Sequence, residues 1–298
     1  MADTILRGIS ATGGIRIFVA ETTELVRRAQ EIHKTYPIAT AALGRLLTAG
    51  AMMGDMMKGE NDKLTLRVAG DGPLGKLIVT ADSAGRVKGY AENPTVELPS
   101  KAPGKLNVGG AVGQGTLSVV CDLGMKEPYS AQLELVSGEI AEDITAYFAT
   151  SEQVPSACAL GVLVDTDGSV INAGGFILQL MPDATDADAV LLEENIKKLS
   201  PMTTMLSEGM SPEVILLTVT EGIDMFMYQN ETKPAYVCDC TRARVSSALL
   251  GMGKEELRAL IDEQGQAEVT CQFCDNVYDF SREDLEELYA KLENLKKN

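Results

Sequence analysis

Four cysteines crowd into the last fifth of the chain. Cys238 and Cys240 form a C-D-C pair, Cys271 and Cys274 form C-Q-F-C, and thirty residues separate the pairs. No other feature narrows the possible folds as far. Zn–S bonds of about 2.3 Å place the sulfurs of a tetrahedral site roughly 3.8 Å apart, a geometry that two tight pairs can meet. A C-x-x-C turn aims both sulfurs at one centre. In C-x-C the two side chains leave an extended backbone on the same side, so they too can converge. The same pairs can instead close as two short-range disulfides, so one sequence feature permits two covalent states.

The remaining chemistry is sparse. A chain of 298 residues, 45% hydrophobic, can bury one sizeable core plus a smaller unit. A net charge of −17 opposes binding to nucleic acid and to anionic membrane surfaces. The stretch from Tyr236 to Asn298 alone carries 13 acidic and 8 basic residues, the wrong balance for a zinc ribbon that grips phosphates. The start, Met1-Ala2-Asp3-Thr4, has neither a basic nor a continuous apolar region of a signal peptide. The apolar run from Pro37 to Met57 contains Arg45 and Asp55 and reads as a buried central helix rather than a membrane span. Closely paired cysteines without a secretion signal point to the reducing cytoplasm, where such patterns mean metal or redox chemistry. Cys121 and Cys158 stand alone in apolar strand-like segments and read as inert core thiols. His33 is the one histidine, so a Ser-His-Asp triad is not expected and histidine-rich metal catalysis is excluded; it reads as a surface or satisfied residue of an N-terminal helix. The glycine-rich run Gly109 to Gly115 lacks the Lys-Ser/Thr ending of a phosphate loop and is expected to be a flexible turn, with no nucleotide.

The pattern along the chain predicts an α+β protein in three parts. Residues 1–180 are expected to form a mixed, largely antiparallel sheet with packed helices. Hairpins are expected around Thr12-Gly13-Gly14, Ser83-Ala84-Gly85 and Asp165 to Gly168. Thr23 and Ser137 are candidate helix caps, and Gly44, Gly50 and Gly54 would let neighbours approach the central helix. Residues 181–235 read as a helical linker, with ten acidic and three basic residues between Met181 and Tyr236. Such a segment stays folded only while it rests on something else. Residues 236–298 form a small domain with helices at Arg242 to Leu250, at Lys254 to Glu263 and after Ser281, whose capping partner is Asp284. About sixty residues bury little core without a staple, and a zinc ion supplies one.

Three functions fit the cysteines. A permanently structural zinc is the plain one. A redox switch is the sharper one, because zinc-bound sulfurs are thiolates and thiolate is the oxidisable form. Loss of two electrons from each pair would remove all four ligands. A thioredoxin-like catalytic pair at Cys271 and Cys274 is disfavoured, because Asp275-Asn276 and a strand follow where a helix should open.

The residues resemble a known family, the redox-regulated holdase chaperones of bacteria, or thirty-three-kilodalton heat-shock chaperonins. The segment Cys238-Asp239-Cys240-Thr241-Arg242, then Cys271-Gln272-Phe273-Cys274 with Tyr278 and Phe280, is similar to the family's zinc motif and trailing aromatics. Gly70-Asp71-Gly72-Pro73, Ser151 to Pro155 and Leu178 to Pro182 resemble its N-terminal signatures. Asp275 departs from the glycine expected in many members. The resemblance implies one zinc per chain held by Cys238, Cys240, Cys271 and Cys274 in an inactive reduced form. It further implies oxidation to Cys238–Cys240 and Cys271–Cys274 disulfides, dimerisation on activation, and ATP-independent holding of unfolding proteins. Six of the thirteen methionines lie between Met181 and Met227, and methionine suits adaptable contacts with varied apolar partners. Client binding is therefore expected at the sheet face and the middle segment.

Overall fold

A computed structural model describes residues 2–102 and 104–295. Met1, Pro103 and residues 296–298, which the expected domain spans include, lie outside the described residues. The chain begins β1 (Thr4–Ser10), β2 (Ile15–Glu21), α1 (Thr23–His33), α2 (Pro37–Asp55), β3 (Lys63–Gly70), β4 (Lys76–Asp82) and β5 (Arg86–Ala91). It continues through α3 (Val108–Val112), β6 (Gly115–Asp122), β7 (Tyr129–Glu134), α4 (Ala141–Thr150), β8 (Ser156–Val164) and β9 (Val170–Leu180). The middle stretch holds α5 (Asp186–Lys198), α6 (Met202–Ser207), α7 (Pro212–Val219), β10 (Met225–Met227) and β11 (Ala235–Tyr236). Last come α8 (Arg242–Gly251), α9 (Lys254–Glu263), β12 (Ala267–Thr270), β13 (Val277–Phe280) and α10 (Arg282–Leu295). Two compact units divide between Val237 and Cys238.

In the first unit the expected sheet is distributed over two, ordered β10-β1-β2-β9-β8 and β11-β5-β4-β3-β6-β7. Every pairing is antiparallel except β11 on β5. The reason for two sheets lies in α2, which is apolar on nearly every side and needs cover on both. Its residues from Ile38 to Asp55 are buried, Arg45 apart. A Cβ on Gly44 would come within 2.8 Å of Val162 on the five-stranded sheet and of Val26 on α1, and one on Gly50 within 2.7 Å of Val79 on the six-stranded sheet. The glycines therefore set how closely the helix seats on each sheet. Among the described residues no helix is long and apolar enough to cross a membrane.

Local capping differs from expectation at two helices. Thr23 is the first residue of α1 rather than its cap, and its hydroxyl accepts from the Ala173 amide at 3.1 Å. The orphan amides of Glu24 and Leu25 donate instead to the carboxylate of Asp3, at 2.9 and 2.7 Å, which β1 brings to the helix start. At α4 the Asp143 carboxylate takes the place expected for Ser137. It is fully buried and accepts from the amides of Val136, Ser137 and Ile140 at 2.7, 3.1 and 2.9 Å. The glycine run is not a flexible turn throughout. It opens as α3, capped by Asn107, and turns only at Gly113, where φ is +77°.

The middle stretch folds against this unit. Leu192 of α5, Met202 and Met205 of α6, and Ile215, Leu216 and Val219 of α7 bury against Ile15, Ile17, Val19, Phe176 and Leu178 on the outer face of the five-stranded sheet. The residues that follow form a strap along two sheet edges: β10 pairs with β1, and β11 with β5. The sequence did not announce these strands. Three and two residues are too short for a period, and only the edges they cover explain them.

Candidate metal centre

The second unit is small. Its core is Val245, Leu249, Leu257, Ile261, Phe280, Leu285 and Leu288. The sequence signals for its elements hold locally. Thr241 caps α8, its hydroxyl taking the Arg244 amide at 3.3 Å. Ser281 and Asp284 cap α10 reciprocally, at 2.9 and 3.3 Å.

The cysteine pairs arrive on two different pieces of backbone. Cys238 and Cys240 lie on the extended segment that enters α8, steadied by an ion pair between Asp239 and Arg244. Cys271 and Cys274 lie on the turn joining β12 to β13, closed by the Cys271 amide on the Asn276 carbonyl at 3.0 Å and the Cys274 amide on the Cys271 carbonyl at 3.3 Å. Arg242 ties the two pieces together: its guanidinium lies 4.3 Å from the Phe280 ring centroid, donates to the Asp279 carbonyl at 2.6 Å and pairs with Asp284 at 2.9 Å.

The four sulfurs all lie within 4.8 Å of one another. Cys238 Sγ is 3.7 Å from Cys271 Sγ, and Cys240 Sγ is 3.4 Å from Cys274 Sγ. Both distances run from one pair to the other and are close to the roughly 3.8 Å edge of a zinc–thiolate tetrahedron. Four soft donors at this spacing suit a zinc-like ion.

The thiols are not equivalent. Burial pushes the Cys238 and Cys274 thiols up. At Cys240 burial also raises the pKa, but hydrogen bonds from Tyr278 and Asn276, with those of the neighbouring thiols, outweigh it and hold the group down to about 6. Tyr278 donates at 3.2 Å and Asn276 Nδ2 at 3.6 Å. Cys240 is therefore the sulfur most ready to be a thiolate. These two donors are the functional residues that the sequence reading did not assign. The available signal was the i, i+2 spacing of Tyr278 and Phe280 on β13, which puts both rings on one face: Phe280 fills the core and Tyr278 reaches the sulfur.

The other candidates lie elsewhere. Cys121 on β6 and Cys158 on β8 belong to the first unit, and burial raises both thiols, in keeping with inert side chains. His33 on α1 is satisfied, its Nε2 lying 2.9 Å from the Tyr236 hydroxyl. The centre can do two things chemically: hold one metal ion, or give up electrons to an oxidant and lose its ligands.

A profile of the Hsp33 protein family matches residues 3–281. The chain is 47% identical over 294 residues to the 33 kDa chaperonin of Desulforamulus reducens, covering 98% of this chain and 99% of that one. It is 49% identical over 293 residues to the 33 kDa chaperonin of Clostridioides difficile, covering 98% and 100%. The crystal structure of the 33 kDa chaperonin, or heat shock protein 33 homolog, from Thermotoga maritima superimposes with a TM-score of 0.90 at 38% identity, covering 99% of this chain and 100% of that one.

Proposed function

The chain belongs to the Hsp33 family of chaperones, and from that premise we propose that it is a redox-regulated, ATP-independent holdase of the cytoplasm. The observation that carries the reading is a cluster of four cysteine sulfurs within 4.8 Å, holding together a unit in which seven apolar side chains are buried among the described residues. In the reduced state one zinc ion binds Cys238, Cys240, Cys271 and Cys274. A structural zinc contributes roughly 10–16 kcal/mol, while a core of this size rarely supplies more than about 3–5 kcal/mol. The metal therefore decides whether the unit is folded.

Oxidation removes it. Each pair, Cys238 with Cys240 and Cys271 with Cys274, gives two electrons to peroxide or hypochlorite and forms one S–S bond. With those electrons peroxide takes up two protons and leaves as two waters, hypochlorite takes up two protons and leaves as chloride and water, and zinc departs as the divalent ion. The unit then unfolds. The acidic middle stretch, which rests on the outer face of the five-stranded sheet through the apolar side chains of α5 to α7, loosens with it. That sheet face and α5 to α7 are the surface offered to unfolding proteins. The active form is a homodimer. Neither nucleic acid nor membrane is a partner, since the charge of −17 repels both.

The test measures zinc release and suppression of aggregation together on purified protein, treated with hypochlorite or with peroxide at elevated temperature. Release of about one zinc per chain with a gain of holdase activity, both reversed by dithiothreitol, supports the switch. Zinc that stays bound, or leaves with no gain in client binding, reduces the cysteines to a constitutive staple.

A further inference from the structure

The strap of residues 225–237 lies on the outer edge of both large sheets. β10 runs antiparallel to β1, with Gly8 opposite Met227 and Ser10 opposite Met225. β11 runs parallel to β5, with Ala235 opposite Arg86. Between them Ile5 and Thr232 exchange backbone hydrogen bonds of 2.8 and 3.3 Å. The Tyr228, Ala235 and Val237 amides donate to the carbonyls of Arg7, Gly85 and Val87, each at 2.9 Å. A sheet edge without such cover presents a row of unpaired donors and acceptors that templates another strand.

We propose that the two edges vacated by the strap, on β1 and β5, bind extended segments of unfolded client polypeptides by strand addition. The client takes the strap's place, a step that rests on the redox reading proposed above. The strap itself displays what the edges accept. Met225 and Met227 pack on the apolar cluster of the outer sheet face, while Phe226 between them is 61% exposed. The Arg7 guanidinium lies 5.6 Å from the Tyr228 ring centroid. Tyr236 donates to the Gly89 carbonyl at 2.8 Å, and its ring packs on the main core. The fitting partner is an extended backbone with apolar or aromatic side chains at alternate positions, which unfolded chains expose and folded ones hide. Main-chain pairing supplies affinity without demanding one sequence. A strap from a second copy has the same shape, and the exchange measurement below separates it from a client.

The experiment uses the full-length chain, reduced and oxidised, with a synthetic peptide of residues 224–237 as probe and reduced, carboxymethylated α-lactalbumin as permanently unfolded client. The peptide should bind the oxidised chain only and displace the client. N-methylation of its Tyr228 amide keeps every side chain and removes the bond to the Arg7 carbonyl; it should weaken competition by about fivefold or more. The Ile5 amide, and the Ala11 amide that donates to the Asp224 carbonyl at 2.9 Å, should exchange faster on oxidation and slow again with client bound. Equal competition by the methylated peptide overturns the inference, as does client binding that leaves both amides fast or never frees them, while the redox reading survives each result. Amides protected by chain–chain association without client assign the edges to a second copy, which also overturns it. Absence of any oxidant-dependent client binding removes the redox reading and this inference with it.

Discussion

Tyr278 donates its phenolic hydrogen to the Cys240 sulfur across 3.2 Å, and the thiol is held down to about 6 while the phenol, as the donor to that sulfur, is pushed up to about 12. The bond favours the thiolate, the form that both binds metal and reacts with oxidants. Tyr278→Phe removes it without changing the ring. Zinc affinity measured by chelator competition should drop about 10- to 100-fold, the usual cost of losing a partner behind a metal ligand.

Metal removal should melt the second unit and leave the sheets of the first intact. Chelation of zinc from the reduced protein should melt α8 to α10 while the first unit keeps its cooperative transition. Circular dichroism during chelation, followed by thermal denaturation, reads both. Leu257→Ala, at a fully buried position, should cost about 2–5 kcal/mol and make zinc loss occur at lower chelator concentration.

Asp3 supplies a pH dependence. Burial raises its carboxyl to about 6, against the opposing hydrogen bonds from the Glu24 and Leu25 amides. A carboxyl raised on folding favours the folded state fully below its unfolded pKa, ordinarily 3.8, and that contribution is lost as pH rises through about 6. Asp3→Asn removes the titration. The stability of the variant relative to the parent should rise across that window and level off above it. Urea unfolding midpoints at a series of pH values give the comparison.

Two glycines should respond in opposite directions. A Cβ on Gly54 of α2 would lie 2.8 Å from the Asp82 carbonyl, a backbone atom that cannot swing away. Gly54→Ala should destabilise by about 1–3 kcal/mol despite the better helix former. Gly251, at the end of α8, has nothing within 4 Å of its would-be Cβ. Gly251→Ala should be neutral or stabilise by up to about 1 kcal/mol. Thermal midpoints of the two variants decide it.

Thr232 is the strap's polar anchor. Its hydroxyl donates to Asp55, a buried carboxylate near the end of α2 that also faces Arg7 at 3.4 Å. Thr232→Val leaves that carboxylate short of a donor, at a cost of about 1–3 kcal/mol. Hydrogen exchange at the Ile5 amide, which pairs with Thr232, should speed up before global unfolding.

Much of the site was legible because its chemistry is local. The C-x-C and C-x-x-C spacings orient sulfurs whatever surrounds them, the last helix of the second unit begins at Ser281 through bonds within a few residues, and α8 and α9 end at Gly251 and next to Gly265. The centre's tuning was not legible, since Tyr278 and Cys240 are far apart in sequence and meet only when β13 folds beside the first cysteine pair. The caps at α1 and α4 were misplaced for two different reasons. A short-range rule names Thr23 and Ser137. At α1 the donors go to Asp3, which tertiary pairing brings in from β1. At α4 Asp143, already inside the first turn, takes the amides leading into the helix.

What the residues determine by themselves is periodicity and donor chemistry: an α2 with no polar face, alternating strands on either side of it, and four thiols able to share one ion. Those properties depend on the identity and spacing of near neighbours. The tertiary structure alone decided that α2 would be covered by two sheets rather than one, that residues 225–237 would close an edge of each, and which thiol would be the acidic one. Those outcomes depend on groups between 38 residues apart, as Tyr278 and Cys240 are, and 223 apart, as Arg7 and Asn230 are, where burial and hydrogen bonding are set by what arrives from elsewhere in the chain.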